Sequence, residues 1–581
     1  MEAMKTIRIQ LEPAAEVGGE ALEHISRVFQ ARVLKRCPAE FVREGEELTI
    51  RIAADPTIEK QGYRISGQGN EIVVAGDGTQ GLLAGLGKFL RTSRYSDAGM
   101  TPSDWRGTSI PTSGLRGIQM DTHFCNFYHM ASQEELTEYV EDLALWGVNY
   151  FDVVFPLIDL NGWDDPEIDH ITGQIGAIWK SAKALGLKIG LEIVPNQDFV
   201  IRREEFKGEP NQEPVRRRGN NGHNMCPNKP GALSYITETY GRVLRHLKDN
   251  GIRMDFLCFW PYDEGGCGCE KCAPWGANGY LKAARAILDK AREDIPEMEV
   301  ILSTWLFDTP GDQGEWSGLS AALAEKNDWV NYIMADSHTD FPQYPLTHSI
   351  PGGLPLINYP EISMWALFPW GGYGANPLPE RFERLWGQVK NHVKGGIAYS
   401  EGIFDDINKT VVSQFYWDKD TTADATLQEY IAYEMADWAC EDVREVIRIV
   451  ESNHVKTAVG NERAITRDSN TLAVTEEIAA EAERALALMN QVDAGLPAWA
   501  KTAWRWRILY LRVTLDVLRF RRALEQRASL TEQTSWIDVL RGSPEAKAAI
   551  EELVQIYHSN MDYDDTIHPM YRCVRPALKE I

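Results

Sequence analysis

The chain has 581 residues, 44% of them hydrophobic, and carries a formal net charge of -25 at pH 7. This length predicts two to four domains, and the acidic charge argues against a nucleic-acid partner, because phosphate binding needs a basic face. No apolar run approaches the roughly 20 residues that span a bilayer, and the N-terminus lacks a signal peptide's apolar core, so we expect a cytoplasmic protein without membrane contact. Nine cysteines are odd in number and sparse for this length, which argues against a disulfide scaffold.

The first segment, residues 1–108, predicts a small α/β domain that serves as a scaffold. Strand-like stretches at 47–52, 62–66 and 70–76 are followed by a helix-like stretch at 77–90.

From about residue 114 the chain repeats a short apolar run, a polar loop and a helical pattern. Eight apolar runs lie at 115–120, 148–155, 188–194, 254–260, 299–305, 329–334, 354–359 and 396–399. Strands that alternate with helices pair in parallel through right-handed crossovers. Eight such units over 109–420 predict a (β/α)8 TIM barrel. A doubly wound open sheet is the alternative, but no Gly-x-Gly-x-x-Gly turn follows an early strand.

The last segment, residues 421–581, predicts an α-helical domain. Long helical patterns occupy 475–488 and 500–525, and the polar stretch 460–470 is the best candidate for a break between units. The helical surface leaves room for a homodimer, but nothing in the sequence specifies one.

The fourth predicted strand ends in two adjacent carboxylates, Asp263 and Glu264, followed by Gly265 and Gly266. A desolvated charge is costly, and acids at the C-terminal tip of a barrel strand are typical of catalysis. Adjacent strand residues point to opposite faces, so both acids serve one site only if the chain bends, which the glycines allow. The pattern favours a hydrolase acting on sugars; the alternative is a surface turn with solvated acids.

The layout resembles a group of glycoside hydrolases. Gly62-Tyr-x-Ile, the strand at 72–76 and the glycine-spaced helix at 81–90 are similar to the α/β domain that precedes the barrel in three kinds of enzyme. These are family 20 β-N-acetylhexosaminidases, α-glucuronidases such as those of family 67, and O-GlcNAc hydrolases.

A second resemblance covers the cysteine-rich region and the last barrel strand. Cys226-Pro-Asn-Lys-Pro, Cys267-x-Cys-x-x-Cys272 and Tyr399-Ser-Glu401 resemble family 163 endo-β-N-acetylglucosaminidases.

The family 20 resemblance implies roles for the paired acids. Glu264 would be the general acid, and Asp263 would orient and polarise a substrate acetamide whose oxygen is the nucleophile. The implied activity is a β-N-acetylhexosaminidase that retains the anomeric configuration and releases terminal sugars from oligosaccharides. Family 20 enzymes carry His-x-Gly-Gly before this Asp-Glu pair, whereas this chain has Phe-Trp-Pro-Tyr.

Two alternatives remain open. Glu401, Asp336 or Glu361, each after a predicted strand, could be a protein nucleophile or base acting on another hexoside or a uronide. The carboxyl groups would then lie roughly 5–5.5 Å apart in a retaining enzyme and roughly 6.5–9.5 Å apart in an inverting one. The other alternative is a carbohydrate-binding protein without catalysis.

Four cysteines on two neighbouring loops predict a structural zinc site, while the chemistry itself needs no cofactor. The ligands would be Cys226, Cys267, Cys269 and Cys272, and Cys125 and His223 are alternative candidate ligands. Packing cysteines or one disulfide are the alternatives.

Further polar and aromatic residues after the predicted strands are candidates for sugar binding, since Asp and Asn suit hydroxyl groups and indoles suit apolar sugar faces. They are Asp121, His123, Asn196, His223, Trp305, Asp336, His338, Glu361, Trp365, Trp370 and Tyr373. Trp305 is the strongest stacking candidate, and the basic run at 216–218 is either a solvated loop or a contact for a carboxylated sugar.

Overall fold

The computed structural model of the protein describes most of the chain. The described ranges are 2–14, 17–210, 224–262, 265–308, 312–337, 340–362, 374–453, 471–472, 474–527, 530–531 and 539–558. Among the helices of these ranges, none has the length and apolar composition that crossing a membrane requires.

The N-terminal region is a six-stranded sheet with two helices, as the sequence predicts. Its strand order is β2-β1-β3-β5-β4-β8, and the central strands are parallel. The strands are β1 Thr6–Glu12, β2 Glu40–Phe41, β3 Leu48–Ala54, β4 Tyr63–Gln68, β5 Glu71–Gly76 and β8 Gly107–Ser109. The helices are α1 Gly19–Leu34 and α2 Gly78–Thr92, and a hairpin joins β6 Arg94–Ser96 to β7 Gly99–Thr101.

Eight parallel strands then close into a barrel, which confirms the predicted TIM barrel. Its strands are β9 Leu115–Met120, β10 Tyr150–Val154, β11 Lys188–Ile193, β12 Phe256–Phe259, β13 Glu299–Ser303, β14 Tyr332–Asp336, β15 Leu356–Tyr359 and β16 Gly395–Ser400. The barrel closes between β16 and β9, from Gly395 opposite Leu115 to Ser400 opposite Met120.

Helices surround the barrel. They are α3 Phe127–Met130, α4 Gln133–Leu145, α5 Glu167–Ala184, α6 Ala232–Asp249, α7 Gly279–Arg292, α8 Glu315–Glu325, α9 Gln343–Thr347, α10 Pro379–Val389 and α11 Asp406–Trp417. A capping box of Ser132 and Glu135 begins α4, and left-handed glycines follow α5 and α6 at Gly186 and Gly251, with φ of 70° and 79°. Because all eight strands are parallel, the loops that follow them lie at one end of the barrel.

The C-terminal region is helical, as predicted. Its helices are α12 Ala423–Glu434, α13 Cys440–Ser452, α14 Glu476–Gly495, α15 Ala498–Lys501, α16 Trp504–Gln526 and α17 Pro544–Ile556. β17 Thr471–Leu472 pairs antiparallel with β18 Leu530–Thr531. The polar stretch 460–470 that the sequence favours as a break lies outside the described residues.

A buried network of charges joins the three regions. The Arg505 guanidinium on α16 contacts Asp406 on α11 at 2.8 Å and Asp142 on α4 at 3.0 Å. Asp142 also pairs with Arg32 on α1 at 2.7 Å. Tyr430 donates a hydrogen bond to Asp406 at 2.7 Å. Each buried charge has an opposite partner, and the network therefore depends on every member.

Removal of the Arg505 charge should destabilise the fold, because it leaves Asp142 and Asp406 as buried acids with reduced pairing. We expect Arg505→Met to lower the free energy of unfolding by about 3–5 kcal/mol in urea titrations. Arg448→Met, which breaks the half-exposed pair with Glu445, is the control and should change it by at most about 1 kcal/mol. Equal effects of the two substitutions would contradict a structural role for the buried network.

Candidate functional site at the barrel mouth

Carboxylates, most of them buried, lie where four of the barrel strands end. Asp121 follows β9, Asp336 is the last residue of β14, and Glu361 and Glu401 follow β15 and β16. Asp121, Glu361 and Glu401 are at most 9% exposed. The four acids that the sequence placed at strand ends thus lie at the C-terminal ends of strands in one barrel.

Hydrogen bonds connect the side of the mouth where the barrel closes. Gln119 donates to Asp121 Oδ1 at 3.0 Å, and the Tyr359 hydroxyl donates to Gln119 Oε1 at 2.7 Å. The Tyr399 hydroxyl donates to Glu401 Oε1. Burial, together with the charges of Asp121 and Glu401, holds the pKa of Tyr399 well above its usual range, so the phenol keeps its proton.

Aromatic rings form the opposite side of the mouth. Trp260, just after β12, stacks on Trp305 after β13, with centroids 5.4 Å apart and planes at 29°. Trp260 also contacts Tyr359, with centroids 4.7 Å apart. Trp305 is only partly buried, which leaves part of its surface accessible to a ligand.

His123 and Asn196 are buried in the loops after β9 and β11. The His123 ring packs on Phe124 at a centroid distance of 3.6 Å, and its Nε2 lies 3.9 Å from Asp159 Oδ2. Asn196 Nδ2 donates to the Met225 carbonyl at 3.2 Å. Both side chains thus position loops of the mouth, and ligand contact by either stays a prediction.

Several predicted residues lie outside the described ranges. They are Asp263, Glu264, His223, His338, Trp365, Trp370, Tyr373 and the basic run 216–218. The residues on each side of the paired acids are described: Gly265 N–H donates to the Tyr262 carbonyl at 3.1 Å, and Gly265 has a φ of 98°.

Four cysteines converge beside this segment. Cys226 Sγ lies 3.7 Å from Cys269 Sγ and 3.8 Å from Cys272 Sγ. The sulfurs of these three and of Cys267 all lie within 4.8 Å of one another. Cys125 is not part of this group; its backbone N–H donates to His129 Nδ1 at 3.0 Å.

Hydrogen bonds to sulfur tie the loops after β11 and β12 together. Glu209 N–H donates to Cys267 Sγ at 3.4 Å, and Asn228 Nδ2 donates to Cys272 Sγ at 3.1 Å. The hydrogen bond from Cys272 and then those from the backbone N–H groups of Cys269 and Glu209 lower the pKa of Cys267 to about 5.

Glu315, at the start of α8, is a residue that sequence reasoning missed. Its fully buried carboxylate accepts hydrogen bonds from the Tyr262 hydroxyl at 2.5 Å, from Gly276 N–H at 2.5 Å and from Trp275 N–H at 3.1 Å. Trp275 Nε1 in turn donates to the Pro261 carbonyl at 2.6 Å. Glu315 therefore joins the two ends of the segment that contains Asp263, Glu264 and three of the cysteines.

Asp152 on β10 is a second missed residue. It is fully buried and accepts a hydrogen bond from Tyr150 at 3.0 Å. Burial raises the pKa of Asp152 to about 7, and the nearby charge of Asp121 adds to the increase. Glu192 on β11 was also missed, and its charge helps raise the pKa of Tyr359. An acid inside an apolar strand is the sequence signal that could have identified both.

With this geometry in place, comparison with solved structures identifies the fold. The chain is similar to a family GH115 4-O-methyl-α-glucuronidase with specificity for decorated arabinogalactans: TM-score 0.61, 12% identity, covering 98% of this chain and 80% of that one. It is also similar to a family 89 glycoside hydrolase from Clostridium perfringens in complex with GlcNAc-α-1,4-galactose: TM-score 0.60, 12% identity, covering 96% and 69%.

A GH138 enzyme targeting pectin rhamnogalacturonan II matches at TM-score 0.54 and 10% identity, over 98% of this chain and 95% of that one. No family model and no curated protein sequence matches the chain. The resemblance to glycoside hydrolases is thus confirmed in the fold, at identities that leave the activity to be argued from the site.

The raised pKa of Asp152 has a consequence for stability. Between its usual 3.8 and the folded value of about 7, the folded state binds a proton that the unfolded state releases. Stability therefore falls as pH rises through this window, by at most about 1.4 kcal/mol per pH unit. We expect Asp152→Asn to flatten the fall in the free energy of unfolding between pH 4.5 and 7.

Urea titrations across this range measure the effect, with Asp289→Asn on the exposed face of α7 as the control that keeps the wild-type profile. Parallel profiles of wild type and Asp152→Asn would show that Asp152 does not bind a proton on folding.

Proposed function

We propose that the protein is a glycoside hydrolase that releases terminal sugars from oligosaccharides at the mouth of its barrel. One observation carries this proposal: the barrel mouth has the buried acids Asp121, Glu361 and Glu401 at strand ends and the stacked indoles Trp260 and Trp305 on its opposite side. Buried acids supply the proton transfer and charge stabilisation that glycosidic cleavage needs. Indole rings supply an apolar surface for a sugar ring. The glycoside hydrolase fold of the structural neighbours supports the same conclusion.

The leading mechanism assigns the proton transfer to Glu264. Glu264 donates a proton to the glycosidic oxygen while the bond from that oxygen to the anomeric carbon breaks. The acetamide oxygen of the substrate, oriented by Asp263, attacks the anomeric carbon, and water then opens the resulting ring with Glu264 accepting its proton. The substrate would be a β-N-acetylhexosaminide. In the sequence the pair comes directly after Tyr262, which Glu315 anchors in the loop that follows β12, and this supports the assignment.

Hydrolysis of 4-nitrophenyl N-acetyl-β-glucosaminide, compared with the matching glucoside, tests this mechanism. We expect turnover of the acetamido sugar only, and a loss of roughly 10²–10⁴-fold in kcat for Glu264→Gln. Glu293→Gln at the exposed end of α7 is the control and should keep wild-type kcat. Strong hydrolysis of the glucoside would refute the acetamide mechanism. Full activity of Glu264→Gln would refute the role of Glu264 as the general acid.

A second candidate mechanism uses a protein carboxylate as nucleophile or base on another hexoside or a uronide. Glu401, buried and hydrogen-bonded by Tyr399, is best placed for this role. Glu361 follows the adjacent strand β15, and Asp336 ends β14, one strand further round the barrel. The 4-O-methyl-α-glucuronidase among the structural neighbours favours a uronide. Turnover of a 4-nitrophenyl glucuronide that Glu401→Gln abolishes would select this mechanism. Ligand binding without turnover of any of these sugars would instead indicate a carbohydrate-binding protein.

We also propose that Cys226, Cys267, Cys269 and Cys272 hold a structural zinc ion. Four thiolates at Zn–S distances of about 2.3 Å in a tetrahedron place their sulfurs about 3.8 Å apart. Two of the sulfur distances, 3.7 and 3.8 Å, fit this value. The N–H groups of Glu209 and Asn228 that donate to sulfur would orient the ligands. The ion would stabilise the loop after β12 and take no part in the chemistry.

Elemental analysis of the purified full chain should give about one zinc per chain, and Cys226→Ser should lower both the zinc content and the melting temperature. Cys440→Ser, which removes a buried free cysteine at the start of α13, is the control for a lost thiol and should keep the metal. Zinc-free wild-type protein with an unchanged melting temperature would contradict the site.

The oxidation state of the cysteines gives an indication of the cellular compartment. The eight cysteines in the described part of the chain are thiols outside any disulfide, which supports our proposal of a cytoplasmic enzyme, since the cytosol keeps thiols reduced.

A further inference from the structure

A cavity of about 640 Å³ lies outside the mouth, on the outer rim of the same barrel face; we call it the rim pocket. Residues 161–163 after β10, residues 199–205 after β11 and residues 235–245 of α6 form its lining. Both loops follow the C-terminal ends of barrel strands, so the pocket opens beside the loops that surround the mouth. Its volume is in the range of cavities that bind small molecules, about 300–1,000 Å³.

The charge of the rim pocket is opposite to that of the chain. Four arginines contribute to the lining, Arg202, Arg203, Arg242 and Arg245, against the two acids Glu205 and Glu238. This leaves two surplus positive charges in a protein whose net charge is -25. Two of these pairs are weak, because Arg203 lies 3.7 Å from Glu205 and Arg245 lies 3.9 Å from Glu238. Both distances exceed the roughly 2.7–2.9 Å of a charge-assisted hydrogen bond.

Aromatic rings hold two of the arginines in place. The Arg242 guanidinium carbon lies 4.2 Å from the centroid of the Trp163 ring, and that of Arg203 lies 4.6 Å from the Tyr235 ring. Phe199 packs edge-to-face against Trp163 at 5.6 Å. The edge of a guanidinium that stacks on a ring matches the two oxygens of a carboxylate or sulfate. The Arg203 side chain also forms a hydrogen bond with Tyr235, which orients the guanidinium.

Arginine edges beside aromatic faces match a sugar that carries a negative charge. The guanidinium groups would bind the anionic group, and the exposed parts of the rings would contact the apolar face of the sugar. A long polyanion such as a nucleic acid is disfavoured, because Glu205, Glu238 and the acidic chain repel multiple phosphates. One or two negative charges on a short saccharide match the surplus of positive charge in the rim pocket.

We propose that the rim pocket binds an acidic sugar unit, carrying a carboxylate or a sulfate, of the oligosaccharide whose terminal residue enters the barrel mouth. The inference rests on the proposed glycoside hydrolase function for the identity of the ligand. It narrows the substrate from oligosaccharides in general to acidic ones, and it assigns the recognition of the negative charge to Arg203 and Arg242.

Calorimetric titration of the full chain with trigalacturonic acid tests the pocket without any need for turnover. We expect binding that weakens with added salt, as screening of exposed charges requires. The fully methyl-esterified trisaccharide, which has the same size without charge, should bind at least about tenfold more weakly, a difference of about 1.4 kcal/mol. A sulfated trisaccharide forms the second arm and distinguishes sulfate from carboxylate recognition.

The double variant Arg203→Gln and Arg242→Gln should lose at least about tenfold in affinity for the acidic trisaccharide. Arg285→Gln is the matched control, because Arg285 also stacks on an indole, that of Trp329 at 5.5 Å, but lies on α7 away from the pocket. Equal affinity of the double variant and the control would overturn the proposal. So would equal binding of the acid and its ester, or competition by inorganic phosphate as strong as that by the saccharide.

The outcomes separate this proposal from the proposed function. Suppose that the wild-type protein binds the acidic trisaccharide but hydrolyses no nitrophenyl glycoside. This result would support the proposed rim-pocket ligand and refute the proposed glycoside hydrolase activity. Hydrolysis without charge-dependent binding would support the glycoside hydrolase activity and refute the binding of an acidic sugar in the rim pocket.

Discussion

Closure of the parallel barrel between β16 and β9 is the constraint on which the rest of this structure depends. The two strands pair over their whole length, and this places Ser400 opposite Met120. Glu401 and Asp121, the next residues of each strand, are thereby brought side by side although they are far apart in sequence. All strands of the ladder run in one direction, and every loop that follows a strand opens onto the same face. A site built from single residues of many strands is possible only after this closure.

The molecule accommodates buried charge in two different ways. Between the three regions, Arg505, Asp142, Asp406 and Arg32 neutralise one another through ion pairs of 2.7–3.0 Å, so their charges are retained and the regions are held together. Inside the barrel, burial raises the pKa of Asp152 to about 7 and holds that of Tyr399 well above its usual range. Opposite charges in contact serve stability, whereas shifted pKa values are typical of a site prepared for proton transfer.

The segment after β12 is anchored from several directions. Glu315 holds Tyr262 at its start and Trp275 and Gly276 at its end. Asn224 donates to the Gly266 carbonyl at 2.7 Å, and Gly268 donates to the Glu209 carbonyl at 2.8 Å. Loops usually vary and move more than the strands they join, whereas the described part of this loop is held at both ends by hydrogen bonds.

The sequence by itself determined the local elements and the order in which they alternate. It identified β9 to the residue, and it placed Asp121, Asp336, Glu361 and Glu401 at strand ends, because periodicity and strand termination are local properties. The tertiary structure alone decided which distant residues meet. Glu315, at the start of α8, meets the loop after β12 only in the folded chain, and the arginines of the rim pocket come from the loop after β11 and from α6. Asp152 and Glu192 are visible locally as acids in apolar strands, but their partners are not. Their roles arise from long-range packing, desolvation and charge, which no local pattern encodes.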